Sequence, residues 1–219
     1  VDEYLSAVLP TSVQGEIKAI TVPHAGHHYS GKVAAHAYRS VQGMPIHTVA
    51  VVSPMHQYHP GRLITTAHDA YVTPLGMVPV NHELISQLDQ IVQISIKEGL
   101  TPVPRDQEHS LEIQLPFLQR VFQEGFDLVP IMLRDQSASL AKALGKALAD
   151  LTEVGKTLLV ASTDLSHFYA ESIANRLDKS ILSAVEAFDP QKLYKMAASG
   201  EGQACGLGAV AAVMWAAQK

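Results

Sequence analysis

Short apolar runs, rich in Val, Ile, Leu and Thr and bounded by turn residues, recur along this chain. Runs of this length and composition are typical of β-strands, and near-continuous apolarity indicates strands that are covered on both faces. The pattern predicts five buried strands, over residues 17–22, 48–53, 63–67, 128–133 and 157–162.

Between these runs, apolar side chains recur three or four positions apart, which is the spacing of an amphipathic helix. Residues 32–41 form one such stripe, behind Ser30 as a candidate cap, and Leu111, Leu115, Leu118 and Phe122 mark another. Further helices are predicted over residues 140–151, 175–188, 190–198 and 207–217. The alternation of strands and helices predicts an α/β sandwich.

Composition narrows the class of protein. The 219 residues are 47% hydrophobic and 17% charged, which suits one globular domain with a sizeable core. A net charge of −5 and the absence of any Lys/Arg cluster argue against nucleic-acid binding. The most apolar stretch, 206–217, is too short to span a bilayer, and residues 1–10 do not resemble a signal peptide. We therefore expect no membrane association and a cytoplasmic location.

Histidines and acidic residues collect directly after three of the predicted strands. One strand leads into His24, a second into His56 and His59, and a third into Asp164 and His167. In open α/β sheets, ligand sites form in the loops after the carboxyl ends of strands. We therefore predict that these loops converge on one site, provided that the strands are neighbours and run in the same sense.

Two further positions carry candidate chemistry. His109 opens a predicted helix that Asp106 or Ser110 could cap, and the helix dipole there favours a neutral imidazole. Cys205 is the single cysteine and directly precedes an apolar helix, where backbone N–H groups stabilise a thiolate. A lone cysteine before a helix rich in Ala and Gly is more often a small packed core residue than a reactive thiol, so both interpretations of Cys205 stay open.

Five motifs, in this order, resemble the Memo family, whose bacterial and archaeal members are called AmmeMemoRadiSam system protein B. They are PHAGHHYSG (23–31), SPMH (53–56), DQEHSLEIQLPFL (106–118), STDLSH (162–167) and ACG (204–206). The resemblance implies one α/β/α sandwich domain over residues 1–219, related in fold to class III extradiol dioxygenases, with a mostly parallel or mixed sheet. It also implies that terminal strands usual in the family are missing here.

The resemblance further implies a metal site of two histidines and one cysteine, which fall on His24, His56 and Cys205. This donor set suits Fe(II) or Cu, and Zn is also compatible. By resemblance, His109 and His167 are further pocket histidines, and with Asp164 we expect them to handle protons or position substrate. His27, His28 and His59 are interpreted as exposed loop residues.

The hypothesis that follows is a metal-dependent redox protein, oxygenase-like, acting on a small organic substrate. Two alternatives stay open: a zinc hydrolase, and a binding or adaptor module for a peptide or phosphate-bearing ligand. The family's bacterial name also implies a radical SAM enzyme and an AMMECR-type protein as partners.

Overall fold

The computed structural model describes residues 1–9, 13–105, 107–153 and 155–218. Asp106, one of the two caps suggested for the His109 helix, lies outside these residues. The strands are β1 Ala19–Val22, β2 Thr48–Pro54, β3 Leu63–Thr66, β4 Ala70–Thr73, β5 Gly76–Pro79, β6 Thr101–Val103, β7 Asp127–Leu133 and β8 Thr157–Ser162. The helices are α1 Asp2–Ser6, α2 His27–Ser40, α3 His82–Ile96, α4 His109–Glu112, α5 Leu115–Val121, α6 Ala138–Leu151, α7 Glu171–Glu186, α8 Pro190–Ala198 and α9 Leu207–Ala217.

The central sheet is mixed, with six strands in the order β1-β8-β2-β7-β3-β6. The first four of these run parallel, β3 is antiparallel to β7, and β6 is parallel to β3. Strands β1, β8 and β2 are therefore adjacent and share one direction, so their carboxyl ends meet at one edge of the sheet. The condition set for convergence of the three polar loops is met.

Side chains of the inner strands alternate between two apolar layers, as the two-residue period of a strand requires. Val49 and Val51 pack on the side of α1, α2, α4 and α5, whereas Ala50 and Val52 pack on the side of α3, α6, α7, α8 and α9. Both faces of the sheet are thus covered, which explains the near-continuous apolar runs in the sequence. The predicted α/β/α sandwich with a mostly parallel, mixed sheet is confirmed.

Several elements were not predicted. The β4–β5 hairpin and the helices α1 and α3 have no counterpart among the predicted elements, and neither does β6. Strand β6 was missed because Pro102 interrupts its strand pattern. The proline is tolerated because β6 is an edge strand, which pairs only with β3 among the described strands. Helix α3 begins behind Asn81, whose side chain accepts a hydrogen bond from the Leu84 N–H.

The predicted caps need correction. Helix α2 begins at His27, with Gly26 as its N-cap, so Ser30 lies inside the helix and donates its hydroxyl proton to the Ala25 carbonyl oxygen. The stripe at residues 111–122 is two helices, α4 and α5, because Pro116 opens α5 and cannot donate to the preceding turn. Ser110 lies inside α4 and is not its cap.

No helix among the described residues is both long enough and apolar enough to cross a bilayer.

Candidate metal centre

The loops that follow β1 and β2, and the turn that precedes α9, bring three predicted ligands together. His24, His56 and Cys205 each offer one donor atom, and these atoms lie within 4.8 Å of one another. His24 is buried, Cys205 is partly buried, and the His56 side chain is 38% exposed. The cluster therefore opens to solvent on the His56 side.

His24 is held on both sides of its ring. Its Nδ1 lies 2.9 Å from the Ser162 Oγ, and its Nε2 lies 3.1 Å from the Cys205 Sγ. Burial lowers the pKa of His24 to about 4. The charge of Asp164 acts in the opposite direction but is outweighed, and the nearby His56 lowers the pKa further. His24 is consequently a neutral imidazole at physiological pH, which is the form that binds metals.

His56 is oriented by a buried carboxylate that the sequence analysis did not find. Glu108 accepts the His56 backbone N–H at 2.5 Å and lies 3.0 Å from the His56 Nδ1. Burial would raise the pKa of Glu108, but hydrogen bonds from His56 and Ser110 outweigh it and hold that pKa below its ordinary value. An ionised Glu108 takes the Nδ1 proton of His56 as a hydrogen bond, which leaves the Nε2 lone pair available for a metal.

Glu108 also changes the interpretation of its segment. It is the N-cap of α4, and its carboxylate accepts the Ser110 N–H at 3.0 Å. Although the segment before α4 is polar in sequence, the Glu108 side chain is buried against His56.

Cys205 lies one residue before the Gly206 N-cap of α9, as the sequence indicated. Its Sγ accepts the Asp164 N–H at 3.2 Å, and the Gln136 side chain donates to the Cys205 carbonyl oxygen. Burial raises the pKa of the Cys205 thiol despite the Asp164 hydrogen bond. The expected stabilisation of a thiolate is therefore outweighed by desolvation, and a bound cation is what would deprotonate this sulfur.

The three predicted proton-handling residues lie beside this cluster. Asp164 accepts the His24 N–H at 2.8 Å through Oδ1, and its Oδ2 lies 3.8 Å from the His167 Nε2. The His109 ring lies 5.7 Å from the His24 ring and 5.6 Å from the His56 ring, measured between centroids. The side chains of His109 and His167 are 62% and 40% exposed, so they line the open side of the cluster.

The remaining histidines near these loops have other contacts. His27 lies in the first turn of α2, its Nε2 is 2.8 Å from the Ile113 carbonyl oxygen, and its ring packs on Phe117. The loop interpretation of His27 and His28 is wrong, since both are helical, although His28 is exposed. His59 accepts the Gly61 N–H through Nδ1, within a loop.

A family model described as Memo-like protein matches residues 1–219 of this chain. The chain belongs to the Memo family. A MEMO1 family protein of Nitrosopumilus maritimus is 35% identical over 200 residues, covering 90% of this chain and 71% of the relative. A MEMO1 family protein of Thermotoga maritima is 34% identical, with 96% and 75% covered, and one of Thermoplasma acidophilum is 30% identical, with 97% and 78% covered.

The donor set of this Memo-family chain fits a single metal ion. Two ligand atoms bound tetrahedrally at about 2.1 and 2.3 Å from one ion lie roughly 3.6 Å apart, so donors within 4.8 Å need only small shifts. Both imidazoles have their Nδ1 atoms within hydrogen-bond distance of a protein oxygen, Ser162 Oγ for His24 and Glu108 Oε1 for His56, and such a contact is usual for metal-binding histidines. The side chains of a second group, His56, Glu108 and His109, are also close enough to one another to bind an ion. Glu108, however, already accepts hydrogen bonds from His56 and Ser110.

The lowered pKa of His24 predicts a pH-dependent stability of the metal-free protein. Below pH 6.5 the His24 imidazole is protonated in the unfolded chain, whereas in the folded protein it stays neutral until about pH 4. Acid therefore favours unfolding. We expect the free energy of unfolding to fall by about 3 kcal/mol between pH 6.5 and 4 through this group. Urea unfolding across that range measures it.

The comparison variant for this measurement is His24→Gln, which should lose that part of the pH dependence. The exposed His36→Gln is the matched control and should keep it. Parallel pH profiles for the wild type and His24→Gln would contradict the buried, neutral state of His24.

Proposed function

We propose that this Memo-family protein binds one redox-active metal ion through His24, His56 and Cys205 and serves oxygenase-like chemistry on a small organic substrate. The observation that carries the proposal is the meeting of two imidazoles and one thiol, each held by protein contacts, at the edge of the sheet where the parallel strands β1, β8 and β2 end. Loops at that edge are the usual place for a ligand site in this class of fold.

The residues of the site have two roles, as metal ligands and as groups that orient those ligands. The Nε2 atoms of His24 and His56 and the Sγ of Cys205 would bind the ion, whereas Ser162 and Glu108 fix the two rings. When bound, Fe(II) or Cu supplies electron-transfer or oxygen chemistry. A site with a soft thiolate binds copper more readily than a site that has a carboxylate in the same position. Zn would fit the same donors but supplies no redox chemistry.

Proton handling falls to residues on the open side. Asp164 is anchored through Oδ1 by the N–H groups of His24 and Ala25, and its Oδ2 lies 3.8 Å from the His167 Nε2 and 3.9 Å from the His24 Nε2. The half-exposed His167 can accept a proton from a substrate at its Nε2 or return one there, and Asp164 stabilises the charged ring. His109, whose ring lies close to the rings of His24 and His56, can orient a substrate or serve as a second proton carrier.

A metal titration of the wild type, His56→Ala and His59→Ala tests the binding part of the proposal. We expect one equivalent of Cu(I) or Fe(II) to bind the wild type and His59→Ala alike, since His59 is a loop residue of the same segment. Loss of an orienting group typically costs 10–100-fold in affinity, so loss of the ligand in His56→Ala should cost about 100-fold or more. Equal affinities for the two variants would remove His56 from the site.

Oxygen consumption with ascorbate as reductant tests the redox part. We expect turnover by the iron-loaded or copper-loaded protein and none by the zinc-loaded protein, which serves as the redox-silent control. Hydrolysis of esters or amides by the zinc form, with no oxygen consumption by any form, would contradict a redox function.

A further inference from the structure

We propose that a buried hydrogen-bond chain, Tyr38–Gln114–Ser162, fixes the proton of His24 on Nδ1 and so keeps the Nε2 lone pair directed at the metal position. Ser162 and Gln114 are then positioning residues for the ligand histidine. The tautomer of His24 follows from contacts of the metal-free protein, and only its effect on metal affinity rests on the proposed function.

The first link sets the orientation of the Gln114 amide. Its Nε2 lies 3.0 Å from the Pro23 carbonyl oxygen, which can only accept, so the nitrogen must face that carbonyl. The Gln114 Oε1 then faces Tyr38, whose hydroxyl donates to it at 2.7 Å. With the amide in this orientation, the second Nε2 proton reaches the Ser162 Oγ at 2.9 Å.

The second link assigns the single hydroxyl proton of Ser162. The Ser162 Oγ lies 2.6 Å from the Ser110 carbonyl oxygen, and since a carbonyl only accepts, the hydroxyl donates there. Ser162 has two lone pairs left, and Gln114 donates to one of them.

The third link follows for His24. The His24 Nδ1 lies 2.9 Å from the Ser162 Oγ, and Ser162 has no second proton to give. The proton in this contact therefore belongs to Nδ1, and Nε2 is the bare nitrogen. Nε2 is also the atom that lies 3.1 Å from the Cys205 Sγ, at the centre of the ligand cluster.

Burial makes this assignment firm. Tyr38, Ser162 and Gln114 have at most 1% of their surface exposed, so water does not compete for these hydrogen bonds. The chain links four parts of the fold: helix α2, the start of α5, the end of β8 and the loop after β1.

Long-range ¹H–¹⁵N correlation spectra of the metal-free protein near neutral pH read the tautomer directly, with His24 assigned by its loss in His24→Gln. We expect the wild type to show His24 protonated on Nδ1. In Ser162→Ala the acceptor is lost, so we expect a mixture of tautomers and a metal affinity lower by about 10–100-fold, as for other orienting groups.

Two variants control this experiment. Ser53→Ala removes an equally buried serine at the end of the neighbouring strand β2, and it should leave both the tautomer and the affinity unchanged. Ser162→Thr keeps a hydroxyl at the same position and should restore both towards the wild type, which a loss caused only by misfolding would not.

Protonation of His24 on Nε2 in the wild type overturns the proposal, whether or not any metal binds. So does a Ser162→Ala protein with the tautomer and affinity of the wild type. A wild type that shows the Nδ1 proton but binds no metal supports the tautomer assignment and counts against the proposed function alone.

Discussion

Cys205→Ser is expected to lower the affinity for Cu(I) by about 100-fold or more and that for Zn by less, because a soft thiolate is the donor that selects Cu(I). Serine is close in size to cysteine and can still accept the Asp164 N–H that now points at the sulfur, so the fold should persist. Competition against a chromophoric chelator measures both affinities.

Ala204→Ser is the matched control for this substitution. It introduces the same hydroxyl one residue earlier, at a partly buried position outside the donor group, and should bind as the wild type does. An unchanged Cu(I) affinity in Cys205→Ser would mean that the single cysteine is a packed residue, which is the alternative that its sequence position left open.

Gly206→Ala is expected to disrupt both folding and metal binding. A Cβ on Gly206 would collide with the Ser162 carbonyl oxygen, which is strand backbone, and would lie 2.8 Å from the Thr163 Cβ. Because β8 cannot move aside, the start of α9 must shift and carry Cys205 with it. We expect a loss of about 3 kcal/mol in unfolding free energy, typical of overpacking, and at least about 100-fold weaker metal binding.

Gly26→Ala provides the control at the other glycine next to the site. The nearest atom to its added Cβ is the Tyr29 Cδ2 at 3.6 Å, an ordinary contact, so only the weaker N-cap preference of alanine, about 1 kcal/mol, is at stake. Urea unfolding and metal titration of both variants give the comparison. Similar behaviour of the two would show that the close approach of Gly206 to β8 does not hold Cys205 in place.

Five strands of the central sheet could be predicted because strands buried on both faces are apolar at nearly every position. Strand β8 is found with the predicted bounds, and the other four predicted strands differ by at most two residues at an end. The β4–β5 hairpin was missed because Val72 and Met77 are exposed, so its apolar residues do not mark a buried face. Helix α3 had a usable signal, Asn81 followed by a helical stripe through Leu88 and Val92.

The ligand residues could be predicted because they follow strand ends, which topology gathers at one edge, and because their motifs resemble those of one family. The orienting residues were harder. Gln114 had a signal, since it is a polar residue on the same helical stripe as Leu111 and Leu118. Glu108 lies in the motif at 106–118, but its burial depends on a contact with His56, 52 residues away, which no local pattern indicates.

X-ray absorption at the metal edge of the copper-loaded or iron-loaded wild type tests the central claim most directly. We expect two nitrogen donors from imidazole at about 2.0–2.1 Å and one sulfur donor at about 2.3 Å, with the sulfur absent in Cys205→Ser. A first shell of oxygen and nitrogen alone in the wild type would contradict it, because the ion would then lie away from the cluster of His24, His56 and Cys205.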